Sequence, residues 1–351
     1  MIRRILHHPF FIRLLHREYW SFGVVYIWIM PVWAWLGIRA RSFFFFAAAN
    51  PTIEYGGFMM ESKKKIYDLL PPHSYPCTRY FRMQEDPALV VRQLKDAGFS
   101  YPLIGKPDIG GKGRGVKKLD TEAELLDYAQ SSPLDFLIQE YVDHPHEAGI
   151  FYYRYPGQEK GRISGIVRKE MLAVQGDGSS SLRKLLLRDK RYILQLPALE
   201  KMYGPLLDVI LPAGVAKELV PYGNHARGAK FLDDSHLADE CLTNSIDALC
   251  RQVDGFYYGR LDIRYSSWEE LRQGRFSVIE LNGAGSEPTH IYDPKHSLWF
   301  AWKEIIRHWI ILWRISRLNH QKGIPYLTAR EGLLLLKENK AFDQKIAAFY
   351  V

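Results

Sequence analysis

The 351-residue sequence contains few cysteines and no metal-binding cysteine motif. Its three cysteines, Cys77, Cys241 and Cys250, lie far apart, and no two of them are spaced as CxxC. This pattern argues against a zinc ribbon and against a secreted disulfide framework, and it fits a reducing compartment. The sequence also lacks internal repeats and low-complexity linkers. Because 47% of its residues are hydrophobic and 25% are charged, it can bury a core, which excludes a disordered chain.

Excess basic charge is absent from most of the chain and is concentrated in two segments. The net charge is +8, of which residues 1–41 carry +5 and residues 303–323 carry +4, so the remainder is slightly acidic. Nucleic-acid-binding proteins spread basic residues over a groove or a sheet. Cationic side chains interleaved with tryptophan instead suit an anionic membrane surface. We therefore expect a membrane surface, and no nucleic acid, among the partners.

Charged residues are missing from the 20-residue segment 19–38, which contains four tryptophans. A helix needs about 20 residues to cross the bilayer core. A simple span conflicts with the positive-inside tendency, because basic residues flank both ends, and Pro31 lies within the segment. We expect a helix that enters the membrane and returns, or one that lies in the interface. A buried helix of a soluble core is the alternative.

The segment 297–318 has the periodicity of an amphipathic helix. At 100° per residue its basic residues form one stripe beside a stripe of tryptophans, and Ile305, Leu312 and Ile315 face away from them. This pattern is typical of an interfacial helix, although a helix packed on the main domain shows it too. The two terminal segments could also pack against each other as one membrane-docking unit.

Strands and helices alternate between these two segments. Short apolar runs such as FLIQEYV and FSVIELN predict strands, and residues 121–130 and 235–254 predict helices, the first with Thr121 as its N-cap. The alternation indicates an α+β fold with mixed strands.

A glycine-rich segment, GKPDIGGKGRGV, follows a predicted strand that ends near Lys106. Glycine allows backbone N–H groups to approach phosphates closely, and the neighbouring basic residues supply positive charge. The segment is neither a Walker A loop nor a GxGxxG that opens a helix. Its glycines are Gly110, Gly111, Gly113 and Gly115.

Three oxygen-bearing side chains lie on two predicted strands near residues 260 and 280. Asp262 belongs to GRLDIRY, and Glu280 and Asn282 belong to VIELN. Residues two apart on a strand point to the same face, so Glu280 and Asn282 project together, and Asp262 on an adjacent strand would complete the cluster. Such ligands suit Mg²⁺ that also contacts nucleotide phosphates. One salt-bridged aspartate beside unrelated surface residues is the alternative.

In this order the motifs resemble the ATP-grasp superfamily, and most closely its D-alanine–D-alanine ligase and cyanophycin-synthetase-like branch, over about residues 100–294. The resemblance implies an ATP-grasp fold, in which two α+β subdomains grip ATP, here with aromatic-rich helical termini. It implies that Lys106 and Lys169 contact the phosphates and that Arg260 stabilises the developing oxyanion. It assigns ATP and Mg²⁺ as cofactors, with the metal ions on Asp262, Glu280 and Asn282.

The resemblance also implies which residues hold the rest of the nucleotide. Glu147 would reach the ribose hydroxyls. The adenine would lie against a hinge made of Gln139, Glu140, Tyr141 and Val142.

The chemistry implied is ATP-dependent ligation of a carboxylate to an amine or a thiol through an acyl phosphate. A carboxylate is a poor acyl donor, and phosphorylation gives it a good leaving group. We expect this enzyme at the cytoplasmic face of the membrane, acting on an amino-acid or lipid-like substrate. The sequence leaves open whether it forms a homo-oligomer. An ATP-grasp kinase that phosphorylates a hydroxyl, or a membrane scaffold without activity, are the alternatives.

The sequence departs from D-alanine ligases where the acceptor would bind. Their amino-terminal substrate domain is replaced here by the hydrophobic amino terminus, and Ile291 stands where those ligases have an acceptor-binding serine. A D-alanine acceptor is therefore doubtful. We expect the specificity residues at Glu287, Thr289 and His290, with a hydrogen-bonded structural role as the alternative for His290. Arg227 in GNHARG is a further candidate.

These considerations divide the chain into four parts. Residues 1–60 are the membrane-associating amino-terminal segment, and residues 61–99 are a short region before the catalytic domain. The ATP-grasp catalytic domain comprises residues 100–296, and the amphipathic carboxy-terminal helices comprise residues 297–351.

Overall fold

The uncharged segment 19–38 does not form one continuous helix. The computed structural model describes residues 8–20, 22–111, 113–220, 223 and 228–349. Pro31 lies in the first turn of a helix, where the missing N–H of proline costs no hydrogen bond. No helix within these described ranges is long and apolar enough to cross a membrane. The first three helices are α1 Pro9–Leu15, α2 Phe22–Tyr26 and α3 Met30–Ala40.

A four-stranded antiparallel sheet flanks the glycine-rich segment. After α4 Lys63–Leu69, its elements are β1 Thr78–Phe81, α5 Pro87–Asp96, β2 Leu103–Pro107, β3 Lys117–Leu119, α6 Glu122–Ser131 and β4 Phe136–Glu140. The strand order is β1-β4-β2-β3. As predicted, Thr121 caps α6, and it forms a reciprocal capping box with Glu124. Because β1 pairs with β4, this sheet includes residues that the sequence-based division placed before residue 100.

A two-stranded unit with three short helices follows. The chain first passes through β5 His146–Tyr153 and β6 Arg162–Glu170, which belong to the five-stranded sheet described next. The two-stranded unit itself comprises β7 Leu172–Gln175, α7 Leu182–Leu186, α8 Lys190–Ile193, α9 Leu196–Tyr203 and β8 Ala216–Val220. β7 pairs with β8, and the buried Leu172, Leu186 and Leu219 give this unit a core of its own.

A five-stranded sheet carries the acidic motifs. Its last three strands and the two helices between them are β9 Lys230–Asp233, α10 Glu240–Cys250, β10 Tyr258–Tyr265, α11 Trp268–Arg272 and β11 Ser277–Asn282. With β5 and β6 they give the order β11-β10-β5-β6-β9. Every strand pair in the described ranges is antiparallel, so the expectation of mixed strands is wrong. The reason is local: consecutive strands such as β5 and β6 pair directly, without a parallel crossover.

The last two helices are α12 Leu298–Gln321 and α13 Ala329–Phe349. Ile305, Leu312 and Ile315 are buried, so the predicted apolar face of α12 is confirmed. This face packs on α3 and on the short 3₁₀ helix Phe45–Ala48. α12 is therefore a helix packed on the rest of the molecule, which was the alternative to a purely interfacial helix.

The two terminal segments contact each other directly. The indole N–H of Trp302 donates to the Val25 carbonyl at 2.8 Å, and the rings of Trp33 and Trp309 lie 5.2 Å apart. Several tryptophan side chains of both segments therefore pack inside the protein, among them Trp33, Trp302 and Trp309. Whether the combined surface contacts a membrane remains a prediction.

Candidate active site

A cavity of about 860 Å³ opens between the two larger sheets and collects most of the predicted site residues. It joins strands that are far apart in sequence, such as β2 and the strand that contains Glu280 and Asn282. Gly115 lies beside the lining, His290 is not part of it, and Arg227 falls outside the described residues. The predicted residues that line the cavity are Lys106, Gly110, Gly111, Gly113, Gln139, Glu140, Tyr141, Val142, Glu147, Lys169, Arg260, Asp262, Glu280, Asn282, Glu287 and Thr289.

The register of β10 and β11 brings the acidic motifs together. Asp262 is paired with Glu280, and Arg260 is paired with Asn282. Residues directly opposite in an antiparallel pair project to the same face, so these four side chains share the cavity side of the sheet. The cross-strand cluster expected from GRLD and IELN is therefore present.

Asp262 is almost fully buried and is held by two cations. Arg260 contacts both carboxylate oxygens, with Nε–Oδ1 at 2.8 Å and Nη2–Oδ2 at 3.1 Å, and Lys169 Nζ lies 3.2 Å from Oδ2. Burial opposes the charged carboxylate, but Arg260 and Lys169 outweigh burial and lower the pKa of Asp262. The side chain is thus kept anionic and oriented.

The residue types around Asp262 fit a magnesium ion that shares its ligands with a nucleotide. The described residues contain no group of three or more His, Cys, Asp or Glu side chains suited to hold a metal by themselves. The candidate set is instead the two carboxylates of Asp262 and Glu280 and the amide oxygen of Asn282. Mg²⁺ characteristically uses one or two carboxylates and completes its shell with water and substrate phosphates.

Lys106 is buried in a polar niche beside Glu280. Its Nζ donates to the Tyr67 hydroxyl at 2.6 Å, to Gln139 Oε1 at 2.8 Å and to the Ile279 carbonyl at 3.2 Å. Burial lowers the pKa of Lys106 to about 8, which the charge of Glu280 only partly offsets. An anionic phosphate nearby would restore its charge. Sequence reasoning missed Tyr67, because nothing in the motif points to α4.

Lys169 and Glu147 form a buried ion pair. Lys169 Nζ lies 2.8 Å from Glu147 Oε1, and Arg264 Nε lies 3.5 Å from Glu147 Oε2. Burial opposes the charge of Lys169, but Asp262 and Glu147 outweigh it and raise the pKa of Lys169. Glu147 therefore sits in the cavity with its carboxylate already engaged, and its expected ribose contact stays a prediction.

Arg264 holds the segment that was expected to bind adenine. Its Nη1 donates to the Val142 carbonyl at 2.9 Å and to the Tyr141 hydroxyl at 3.3 Å. The Gln139 side chain instead points to Lys106 and Thr78. Sequence reasoning missed Arg264, although a signal existed: it stands two residues after Asp262 and so lies on the same strand face.

The glycine-rich segment is shaped by left-handed backbone and is contacted from two directions. Gly113 and Gly115 have φ values of +66° and +71°, which favour glycine. Lys63 Nζ donates to the Gly110 carbonyl at 2.5 Å and lies 3.6 Å from Glu280. From α13, Asp343 lies 3.5 Å from Arg114. The sequence did not indicate that the carboxy-terminal helix reaches this segment.

The other wall of the cavity comes from the amino-terminal part of the chain. The backbone N–H groups of Ala284 and Gly285 donate to the carbonyls of Gly56 and Gly57 at 3.0 and 2.8 Å. A Cβ on Gly57 would lie 2.7 Å from the Gly283 Cα, so only glycine allows this approach. The segment around Gly56 and Gly57 thus braces the loop after Asn282 directly.

Glu287 presents a carboxylate to this part of the cavity and is held by two tyrosines. The hydroxyls of Tyr26 and Tyr292 donate to its two oxygens at 2.6 and 3.2 Å. Burial and the neighbouring Glu287 charge raise the pKa of Tyr26 well above its usual value, so Tyr26 remains a donor. Thr289 Oγ1 is buried without a hydrogen-bond partner in the described part of the chain. Both residues remain candidates for substrate contact.

His290 faces away from the cavity. Its Nε2 lies 3.3 Å from Glu304, and the ring is 3% exposed. This placement supports the structural alternative for His290. The next residue, Ile291, is fully buried against α2 and α12, while its carbonyl accepts from Arg17 at 2.5 Å. The backbone of Ile291 therefore connects the loop after Asn282 to Arg17 in the amino-terminal segment. The Ile291 side chain offers no hydroxyl that could bind an acceptor.

No family model and no curated protein matches the sequence. Solved structures do match, and they are ATP-grasp enzymes, the superfamily that the motifs resemble. A D-alanine–D-alanine ligase from Bacillus anthracis has 15% identity and a TM-score of 0.42, over 75% of this chain and 69% of that chain. The VanG D-Ala:D-Ser ligase from Enterococcus faecalis has 14% identity and a TM-score of 0.41, over 72% of this chain and 61% of that chain.

A bifunctional glutathione synthetase from Pasteurella multocida has 15% identity and a TM-score of 0.36. The match covers 66% of this chain and 33% of the synthetase, so the chain spans a third of that protein's length.

Proposed function

We propose that the protein is an ATP-dependent carboxylate–amine ligase that forms an acyl phosphate. The observation that carries the proposal is the composition of one cavity. Asp262, Glu280 and Asn282 meet there on paired strands, facing the cations of Lys106, Lys169 and Arg260. Paired oxygen ligands beside buried cations suit a polyphosphate and its metal ions, and few other ligands need both.

Each side chain has a role in this chemistry. Asp262, Glu280 and Asn282 would hold Mg²⁺, which when bound neutralises charge on the nucleotide phosphates. Lys106 and Lys169 bind phosphate oxygens and position the terminal phosphoryl group. Transfer of that group to a substrate carboxylate breaks the bond to ADP and forms an acyl phosphate. An amine then attacks the acyl carbon and phosphate leaves, while Arg260 stabilises the oxyanion.

Glu287 supports an amine rather than a thiol as the second substrate. Its carboxylate is fixed by Tyr26 and Tyr292 and lines the cavity together with Arg260. A fixed carboxylate favours a cationic ammonium group in the bound substrate. Trp20, Phe58 and Met59 line the same cavity, and they support a substrate that carries an apolar part.

We further propose that the enzyme works at the cytoplasmic face of a membrane, where ATP is available. In support, the described amino-terminal helices keep several large apolar side chains exposed, beyond those used in packing. Trp28, for example, is 71% exposed. Exposed large apolar side chains in this number on neighbouring helices favour an interaction site.

Trapping with hydroxylamine tests the proposed reaction. Purified protein is incubated with ATP, Mg²⁺, hydroxylamine and pooled amino-acid or lipid-acid candidates. The expected result is ADP, phosphate and a hydroxamate whose mass identifies the acid. ADP with a phosphorylated product and no hydroxamate would instead establish a kinase. Absence of both turnover and ATP binding would favour the inactive scaffold.

A further inference from the structure

A second cavity, of about 780 Å³, lies between the end of α3, the turn 155–158 and the carboxy-terminal half of α12. It shares no lining residue with the catalytic cavity within the described ranges. We call it the arginine groove. Its lining residues are Arg39, Tyr155, Pro156, Gly157, Gln158, Trp313, Arg314, Arg317, Leu318 and Gln321.

Three guanidinium groups in the arginine groove lack an acidic partner among the described residues. No lining residue is acidic, and no carboxylate in the described ranges pairs with Arg39, Arg314 or Arg317. Other arginines of the described chain do have such a partner, for example Arg307 with Glu304 and Arg272 with Asp239. The charge of the groove is therefore available to a ligand.

Aromatic rings fix two of these arginines in place. Arg39 Cζ lies 5.2 Å from the centre of the Trp35 ring and 5.8 Å from that of Trp313, and Arg317 Cζ lies 4.7 Å from the Trp313 ring. Stacking on a ring orders a guanidinium group without neutralising its charge or occupying its N–H donors. Ordered guanidinium forks are the side chains best suited to bind phosphate oxygens in two-point contacts.

The apolar surface next to the groove indicates where that phosphate comes from. Trp35 is 51% exposed and Ile38 is 67% exposed, and both lie on α3 beside Arg39. Phe43, just after the helix, is 53% exposed. A soluble anion would leave these side chains in water, whereas an anionic bilayer contacts the apolar and the cationic surface together.

We propose that the arginine groove binds the phosphate of an anionic lipid headgroup, with the exposed apolar side chains of α3 inserted into the bilayer surface. The three arginines supply the donors, and Trp35 and Ile38 supply the apolar contact. This site is separate from the catalytic cavity, and it would hold the enzyme on the membrane in one orientation.

Vesicle co-sedimentation tests the proposal. The full chain is mixed with phosphatidylcholine vesicles that contain or lack phosphatidylglycerol. We compare the wild type with the triple variant Arg39→Gln, Arg314→Gln and Arg317→Gln. The matched control removes the same charge elsewhere, through Arg79→Gln, Arg82→Gln and Arg92→Gln, three exposed arginines in or near β1 and α5. Thermal unfolding confirms that both variants are folded.

Binding to phosphatidylglycerol vesicles should weaken on the order of 100-fold in the groove variant, since each basic residue at an anionic surface contributes about 1 kcal/mol. The control should change less than about threefold, because charges beyond a Debye length are screened. Equal weakening in both variants would overturn the proposal. So would binding of inorganic phosphate that the groove variant loses, together with no preference of the wild type for vesicles that contain phosphatidylglycerol, which would identify a free anion as the ligand. Vesicle binding needs no turnover, so failure of the ligase assay leaves this test unaffected.

Discussion

The proposed nucleotide side and the proposed acceptor side of the cavity are built from different kinds of structure. On the nucleotide side, Lys106, Lys169 and Asp262 lie within strands of two sheets, and their neighbours are fixed by ladder hydrogen bonds. On the acceptor side, Glu287 and Thr289 lie in a loop that is held by distant parts of the chain. Regular strands preserve a motif locally, whereas a loop takes its shape from whatever packs on it.

The amino-terminal segment is what packs on that loop. Arg17 donates to the carbonyls of Ile291 and His296, at 2.5 and 3.2 Å. Asn50, which is fully buried, donates to the carbonyls of Gly56 and Tyr258 and accepts from two backbone N–H groups. Substrate selection should therefore depend on the amino-terminal residues that hold this loop in place.

The largest effect should come from breaking the nucleotide side at Asp262. Asp262→Asn keeps the shape of the side chain but removes the charge that faces Arg260 and Lys169. We expect turnover of ATP to fall by at least about 100-fold, the usual cost of losing one group that stabilises charge in the transition state. The hydroxylamine assay measures it. Asp254→Asn, the same change at an exposed position, is the control, and equal turnover in both variants would contradict the proposed site.

A smaller and more selective effect should follow from Glu287→Gln on the acceptor side. Loss of a hydrogen bond to a charged partner should raise KM for the amine on the order of 30-fold. The affinity for ATP should stay unchanged, because Glu287 lies on the proposed acceptor side of the cavity. Tyr26→Phe, which removes one of the two donors to Glu287, should shift KM in the same direction by less. If the affinity for ATP fell while KM for the amine rose, the nucleotide side and the acceptor side would not be separable.

The smallest effect concerns pH and Lys106. Burial lowers the pKa of free Lys106 to about 8, so the side chain loses its proton as pH rises past that value. Bound phosphates favour the charged form, and binding above pH 8 must therefore take up a proton. ATP affinity should fall about tenfold between pH 7 and pH 9. Titration of ATP at each pH measures this, with Lys106→Arg as the always-charged comparison. A flat wild-type profile would show that Lys106 does not contact phosphate.

How far the sequence predicts the site also differs between the two sides. The pairing of Asp262 with Glu280 could be anticipated, because strand alternation and motif order are local properties. Arg264 could have been found by the same alternation. Lys63 and Tyr67 could not have been predicted as site residues. Both lie on α4, whose run of lysines is typical of a solvent-exposed helix face. The role of the carboxy-terminal helix beside Arg114 was equally hidden, because it depends on packing over more than 200 positions.

The sequence by itself determined many of the strands and helices of the region that carries the motifs, the cap of α6 and most of the predicted residues that line the cavity. These follow from side-chain periodicity, from capping chemistry and from the order of the motifs, which act over a few residues. Only the tertiary structure decided that all described strand pairs are antiparallel and that His290 turns away from the cavity. It also decided that Tyr26 and Gly57 contact the loop after Asn282. Those outcomes depend on long-range contacts, whose geometry exists only once distant segments have packed together.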